Sequence, residues 1–301
     1  MNGGISLKKQ VVFNVREDAQ LLPFLLNNYP GKSRNKVKSL LTRGQVMVEN
    51  RIVTRHDHLL VVGEKVTILQ TGSVQQSESM AGLKIVYEDE SLLVIDKPSG
   101  LLSIATDEEK ERTAYRVLSE YVQARTPKAR VFIVHRLDRE TSGLMMFAKT
   151  EAVKKHLQDH WKDVILERSY MVLVEGAVKA KQGTIKTWLK ESSTKTMYVS
   201  RPGEGVIAIT HYQVIDQTPE YSLLAVQLET GRKNQIRVHM QSIGHCVVGD
   251  KRYGSKKNPI ARLGLHAQIL AFTHPDTGEM LRFETKIPNP FLSVFPGKRN
   301  L

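Results

Sequence analysis

The spacing of the apolar runs after Leu83 constrains this chain most. LKIVY, SLLVID, VFIV, LMMFA, SYMVLVEG, TIKTWL, YSLLAVQL, AQILAF and LRFETKI follow one another at short intervals. Each is too short for a buried helix and rich in β-branched or aromatic residues, so each predicts a strand. Helical periodicity is confined to Thr113–Gln123, Glu151–Trp161 and about Asn234–Ile243. Strands in runs that do not alternate strictly with helices predict an α+β domain over residues 83–301. Its sheet should be mixed and largely antiparallel, flanked by helices and loops.

Residues 71–82, TGSVQQSESMAG, are polar and small and read as a flexible linker. They set apart a small α/β domain over residues 1–70. There, seven bases (Lys32, Arg34, Lys36, Lys38, Arg43, Arg51, Arg55) face one acid, Glu49, between Gly31 and His56. Ser33 is placed to cap a helix through Arg43 with Val37, Leu40 and Leu41 on one face, and Gly44 to end it. VMVEN-RIVTR then predicts two short strands, and VGEKVTIL a third. Most charge runs are solvated helix faces. The density of one sign on so small a domain argues instead for contact with a nucleic-acid backbone.

Composition points the same way. Forty-four Lys and Arg against 31 Asp and Glu give a net charge of +13, which favours a polyanionic partner. No apolar run approaches the ~20 residues of a spanning helix, and no basic amphipathic anchor is visible, so a membrane partner is not expected. The N-terminus has no apolar segment of the secretory kind, and a lone Cys246 excludes disulfides. Both fit a cytoplasmic protein. No HExxH, GxSxG, GxGxxG or Cys/His zinc spacing occurs, and GDKRYGSK at Gly249–Lys256 has Ser and Lys in the wrong order for a P-loop. Chemistry without cofactor or metal is what remains.

The segment Val131–Thr150, VFIVHRLDRETSGLMMFAKT, places a polar loop, His135–Gly143, between two apolar strands. Loops held by a rigid scaffold present catalytic groups. Asp138 between Arg136 and Arg139 is equally compatible, on composition alone, with a surface ion-pair cluster.

HRLDRETSG is similar to the central motif of the RluA family of pseudouridine synthases. Val86–Leu102 resembles that family's first motif, and Arg168–Gly176 resembles the segment carrying its active-site tyrosine. LETGRKNQIRVH at Leu228–His239, with GDKRYG and LGLHAQILAF after it, resembles the third motif and its sequel. Residues Asp18–Leu69 resemble a ribosomal-S4-like RNA-binding domain. His135 favours this family over RsuA-type relatives, which more often have Gly before RLD. Two departures stand out. Lys233–Asn234 occupies the place where Thr–His is commoner, and Pro23 falls where the S4-like domain has its first helix, which must start late, near Leu22, or be kinked.

The resemblance implies the pseudouridine synthase fold and isomerisation of specific uridines in structured RNA, with ribosomal RNA favoured and transfer RNA also open. It implies no cofactor, and a monomer is expected. Asp138 is then the essential carboxylate, Arg237 its cationic partner and Tyr170 the platform for the uracil. The target base must be extruded from folded RNA, and Arg136 either fills the gap or binds phosphate. His135, Arg139, Thr141, Gly231, Arg232 and Gln235 are further expected RNA contacts, with Lys32, Arg34, Lys36, Lys38 and Arg43 in the first domain. A non-catalytic RNA-binding or ribosome-associated protein on the same domains is one rival. A hydrolase using the Asp138–His135 neighbourhood, with Glu140 as second acid, is another.

Overall fold

A computed structural model describes residues 10–29, 34–42, 46–49, 51–69 and 80–296. The chain divides into two compact units, one built on residues up to 79, with Gln123–Pro127 grouped with it, and one on the remaining residues from Met80. The first contains β1 (Gln10–Asn14), β2 (Ala19–Gln20), α1 (Leu21–Asn28), α2 (Arg34–Thr42), β3 (Val46–Val48), β4 (Arg51–Ile52), β5 (Leu59–Leu60) and β6 (Lys65–Leu69). An antiparallel sheet in the order β1-β6-β3-β4 and a β2–β5 pair surround a core that includes Leu21, Leu25, Val37, Leu41 and Ile68. Pro23 falls in the first turn of α1, where backbone N–H groups have no intrahelical acceptor, so it interrupts nothing. On α2, Val37 and Leu41 are buried and Leu40 packs against them, while Arg34 and Lys38 are exposed. Lys32, Arg43, the Ser33 cap, the Gly44 stop and the linker through residue 79 lie outside the described residues. Lys36 is described in its backbone alone.

The second unit contains β7 (Lys84–Glu88), β8 (Leu92–Lys97), α3 (Ala114–Gln123), β9 (Phe132–Ile133), β10 (Ser142–Ala148), α4 (Glu151–Asp159), α5 (Trp161–Val164) and β11 (Ile165–Glu175). It continues with β12 (Gln182–Glu191), β13 (Met197–Ser200), β14 (Val206–Gln217), β15 (Tyr221–Leu228), α6 (Gln235–Ser242), β16 (Leu265–Thr273), β17 (Met280–Glu284) and α7 (Asn289–Leu292). One sheet runs β13-β12-β14-β15-β11-β16-β10-β8-β7, with β17 added to β16 and β9 to β10. The β10–β16 pair is parallel and the other described pairs are antiparallel. The α+β reading, with its mixed and largely antiparallel sheet, holds.

Strand β10 explains the buried centre. All seven of its residues are buried, because alternate side chains serve opposite faces and both faces are covered. Met145 and Phe147 pack with Leu93, Ile95 and α3 residues Leu118 and Val122, while Leu144, Met146 and Ala148 pack with Val153 and Leu157 of α4. Thr150 starts α4 by accepting the Val153 N–H at 3.2 Å. The loop before β10 is fixed at its exit by Gly143, whose φ is +109°. A Cβ there would stand 2.1 Å from the Ala267 carbonyl oxygen, so no other residue lets β10 run this close to β16. Among the described residues no helix is long and apolar enough to cross a membrane.

Candidate active site

Asp138 lies on the loop between β9 and β10, at the head of a tight turn in which its carbonyl accepts the Thr141 N–H at 3.1 Å. The segment after β8 holds this turn from both sides. Ser103 Oγ donates to the Leu137 carbonyl at 2.7 Å and accepts the Leu137 N–H at 3.2 Å. The Arg139 carbonyl accepts from the Gly100 N–H at 2.9 Å and from Lys97 Nζ at 3.1 Å. Lys97 is fully buried, and its ammonium also donates to the carbonyls of Leu101 at 2.7 Å and Pro98 at 3.0 Å. Burial pulls its pKa down to about 8, against the raising influence of Glu140 and Asp138. Lys97 and Ser103 are residues the sequence reading did not single out, although both belong to the stretch at and just after its first motif.

Arg237 approaches from α6. Its Nη1 meets Asp138 Oδ2 at 3.2 Å. The rest of the guanidinium faces Asp250, with Nε to Oδ2 at 2.6 Å and Nη2 to Oδ1 at 2.7 Å, a bidentate fork–carboxylate pair. The Asp250 side chain is 1% exposed, Arg237 13% and Asp138 32%, so the pair furthest from water is not the one expected from sequence. Burial works against the Arg237 charge, but the hydrogen bonds and charge of Asp250, followed by Asp138, outweigh it and move its pKa above the usual arginine value. The guanidinium also lies 4.9 Å from the centre of the Tyr253 ring. Asn234, in the unfamiliar Lys233–Asn234 pair, has a left-handed backbone at the head of α6. Its side chain donates to Tyr253 Oη at 3.0 Å and accepts from Arg237 Nη1 at 3.3 Å. Asn tolerates that conformation better than most residues. Lys233 pairs with Glu191.

A cleft holding about 410 Å³ of space, part of it open to solvent, has Asp138, Arg237 and Tyr170 on its walls and Leu137, Leu228, Ile236 and Leu265 among its apolar surfaces. Tyr170 stands on β11 where β16 carries one extra residue, Gln268, while the pairing of β11 with β15 stays in register, so the alternation along β11 is kept. Burial pushes its phenol above the ordinary value, Asp138 adds to that and Arg168 opposes it, so the hydroxyl stays protonated at neutral pH.

The remaining expected contacts divide. Arg136 is exposed and lines the cleft, as do Thr141, Arg232 and Gln235. Gln235 is fully engaged by the scaffold: its Oε1 accepts from Thr230 and the Arg232 N–H, and its Nε2 donates to the Ile209 carbonyl and Thr210. His135 is not among the residues that line the cleft. Its Nε2 accepts the Met146 N–H at 3.1 Å, its ring packs at a tilt against Trp161, and burial, helped by Arg168, lowers its pKa to about 3. A neutral, packed imidazole is a strut for the loop. Arg139 folds back on the Gly100 carbonyl at 3.2 Å, also away from the cleft. Gly231 neighbours the guanidinium of Arg168.

Residues 91–242 match the family model described as RNA pseudouridylate synthase. An uncharacterised RNA pseudouridine synthase of Aquifex aeolicus is 34% identical over 297 residues, covering 93% of each chain. The chain belongs to the RNA pseudouridylate synthase family. The ribosomal large subunit pseudouridine synthase D of Pseudomonas aeruginosa is 32% identical over 281 residues, 88% of this chain and 87% of that one. The solved structure of human RNA pseudouridylate synthase domain containing 1 superposes with a TM-score of 0.57 at 26% identity, covering 73% of this chain and 89% of that one. This synthase is therefore an isomerase acting on uridine in RNA, and the non-catalytic and hydrolase readings give way.

Proposed function

We propose that this synthase modifies one or a few uridines of large-subunit ribosomal RNA, in the cytoplasm and as a monomer, with Asp138 as the reacting carboxylate. The observation that carries the reading is the cleft in which Asp138, tied to Arg237 at 3.2 Å, faces Tyr170 across apolar walls. An ionised carboxylate can add to the substrate or take a proton from the ribose, and both roles require it to be held and still reachable. Arg237 and the turn hold Asp138, and its partial exposure leaves it reachable. Tyr170 offers a flat ring to the extruded uracil. Arg136, exposed at the rim and without an ion pair among the described residues, enters the stack in place of the base or binds phosphate. The first unit acts as an S4-like grip on RNA backbone through the α2 bases. The several relatives named for the ribosomal large subunit support the choice of RNA.

Pseudouridine mapping by carbodiimide chemistry, in cells with and without the gene, tests this. The expected result is loss of one or a few signals in large-subunit ribosomal RNA. Loss confined to transfer RNA contradicts the substrate assignment.

A further inference from the structure

Arg168 is a half-buried guanidinium with neither a hydrogen bond nor an ion pair among the described residues. It stands on β11 two positions before Tyr170, so the two side chains leave the same face of the strand. Its guanidinium lies 5.4 Å from the centre of the Trp161 ring, and Trp161 carries His135 on its ring as well. It also rests on Gly231, where an added Cβ would stand 2.9 Å from Nη1. The next residue, Arg232, lines the cleft. The Arg168 charge opposes the burial-driven rise of the Tyr170 pKa and adds to the burial-driven fall of the His135 pKa.

A cation taken partly out of water without an acidic partner is costly unless something anionic completes it. Here the arginine is positioned in advance: the Trp161 ring lies against its guanidinium, and the missing side chain at Gly231 leaves room for Nη1. That leaves N–H groups for a planar, two-point contact of the kind phosphate oxygens accept. We propose that Arg168 is a substrate-binding residue that grips a phosphate of the RNA backbone beside the extruded uridine, with Trp161 and Gly231 setting its position. The inference rests on the reading of the cleft as the uridine site.

The test is equilibrium binding of an in vitro transcribed large-subunit ribosomal RNA over a range of salt concentrations, with Asp138→Asn in every protein to prevent turnover. Arg168→Met should weaken binding by about tenfold or more, because a charge-assisted contact is lost. It should also make the slope of log affinity against log salt shallower by ~0.7–0.9, the share of one phosphate. Arg168→Lys should keep the slope and recover part of the affinity. Gly231 does not adopt a left-handed backbone, so Gly231→Ala is conformationally allowed and acts by pushing the guanidinium aside. It should weaken binding in the same direction and add nothing once Arg168 is Met. Unchanged affinity and slope in Arg168→Met, or full additivity of the two substitutions, overturns the proposal. Failure of the unsubstituted enzyme to form pseudouridine in any RNA would instead remove the functional reading, a result read in a separate assay.

Discussion

The two sides of the Asp138–Arg237 pair are held by different physics. On the loop side, Asp138 is positioned through its backbone: Ser103 bonds both polar groups of Leu137, and Lys97 and Gly100 bond the carbonyl of Arg139. On the helix side, Arg237 is positioned through its charge, by a bidentate pair with the buried Asp250. Backbone anchoring leaves the Asp138 carboxylate free to react. Charge anchoring fixes the arginine and leaves one N–H group for Asp138. On the proposed function, the side that does the chemistry is thus held chiefly through its backbone, with one contact to its carboxylate, and the side that must stay put is held by a bidentate ion pair.

Substitution should separate the two sides, and the largest effect is expected at Arg237. Arg237→Met leaves Asp250 as an uncompensated carboxylate 1% exposed, a loss on the order of 3–5 kcal/mol in stability. Asp138, with water at hand, bears less of that cost. Arg237→Lys keeps the charge but loses the fork, so denaturant unfolding should place it between wild type and Met. A Met variant as stable as wild type would mean that the Asp250 pair contributes nothing.

On the loop side the expected loss is smaller in stability and larger in rate. Lys97→Met takes a donor from three carbonyls, that of Leu101 buried and those of Pro98 and Arg139 partly so, which costs roughly 1–3 kcal/mol. It also frees the turn carrying Asp138, and misplacement by about 1 Å is enough for a rate loss near a hundredfold. Lys97 does not line the cleft, so single-turnover kinetics should show the fall in rate with RNA affinity retained. Equal loss of affinity would undo the distinction between the sides. Ser103→Ala removes both bonds to Leu137 and should cost roughly 1–2 kcal/mol with a smaller fall in rate.

Acid should weaken both sides gently. Burial lowers His135 on the loop side to about 3 and His239 on α6 to about 4, from 6.5, and His266 behind the loop likewise to about 4. Between those values and 6.5 the unfolded chain binds protons that the folded chain refuses. The stability these groups contribute is therefore present above about 6.5 and lost as pH falls toward 4. Thermal unfolding across that window should show a falling midpoint, and a flat profile would contradict the buried, neutral state of these rings.

The sequence made the Asp138 loop legible because a polar stretch between two apolar runs is a local pattern, and β10 read as buried because its whole run is apolar. Strand β14, Val206–Gln217, did not stand out: it is half-buried, and His211, Gln213 and Asp216 interrupt its apolar residues. Asp250 was invisible as a partner of Arg237 because thirteen residues separate them and the contact is made by tertiary packing. Lys97 reads as an ordinary exposed lysine until the fold brings three carbonyls around it. His135 drew attention by its motif, yet the contacts it makes, with the Met146 N–H and Trp161, are ones periodicity does not reveal.

The central claim is that the Asp138 carboxylate does the chemistry while its surroundings hold it in place. Asp138→Asn is nearly isosteric but cannot serve as an anionic nucleophile or base. Measured on substrate RNA under single-turnover conditions, it should bind as wild type does and form pseudouridine at least about a hundredfold more slowly. A rate within about tenfold of wild type, with binding intact, would contradict the account.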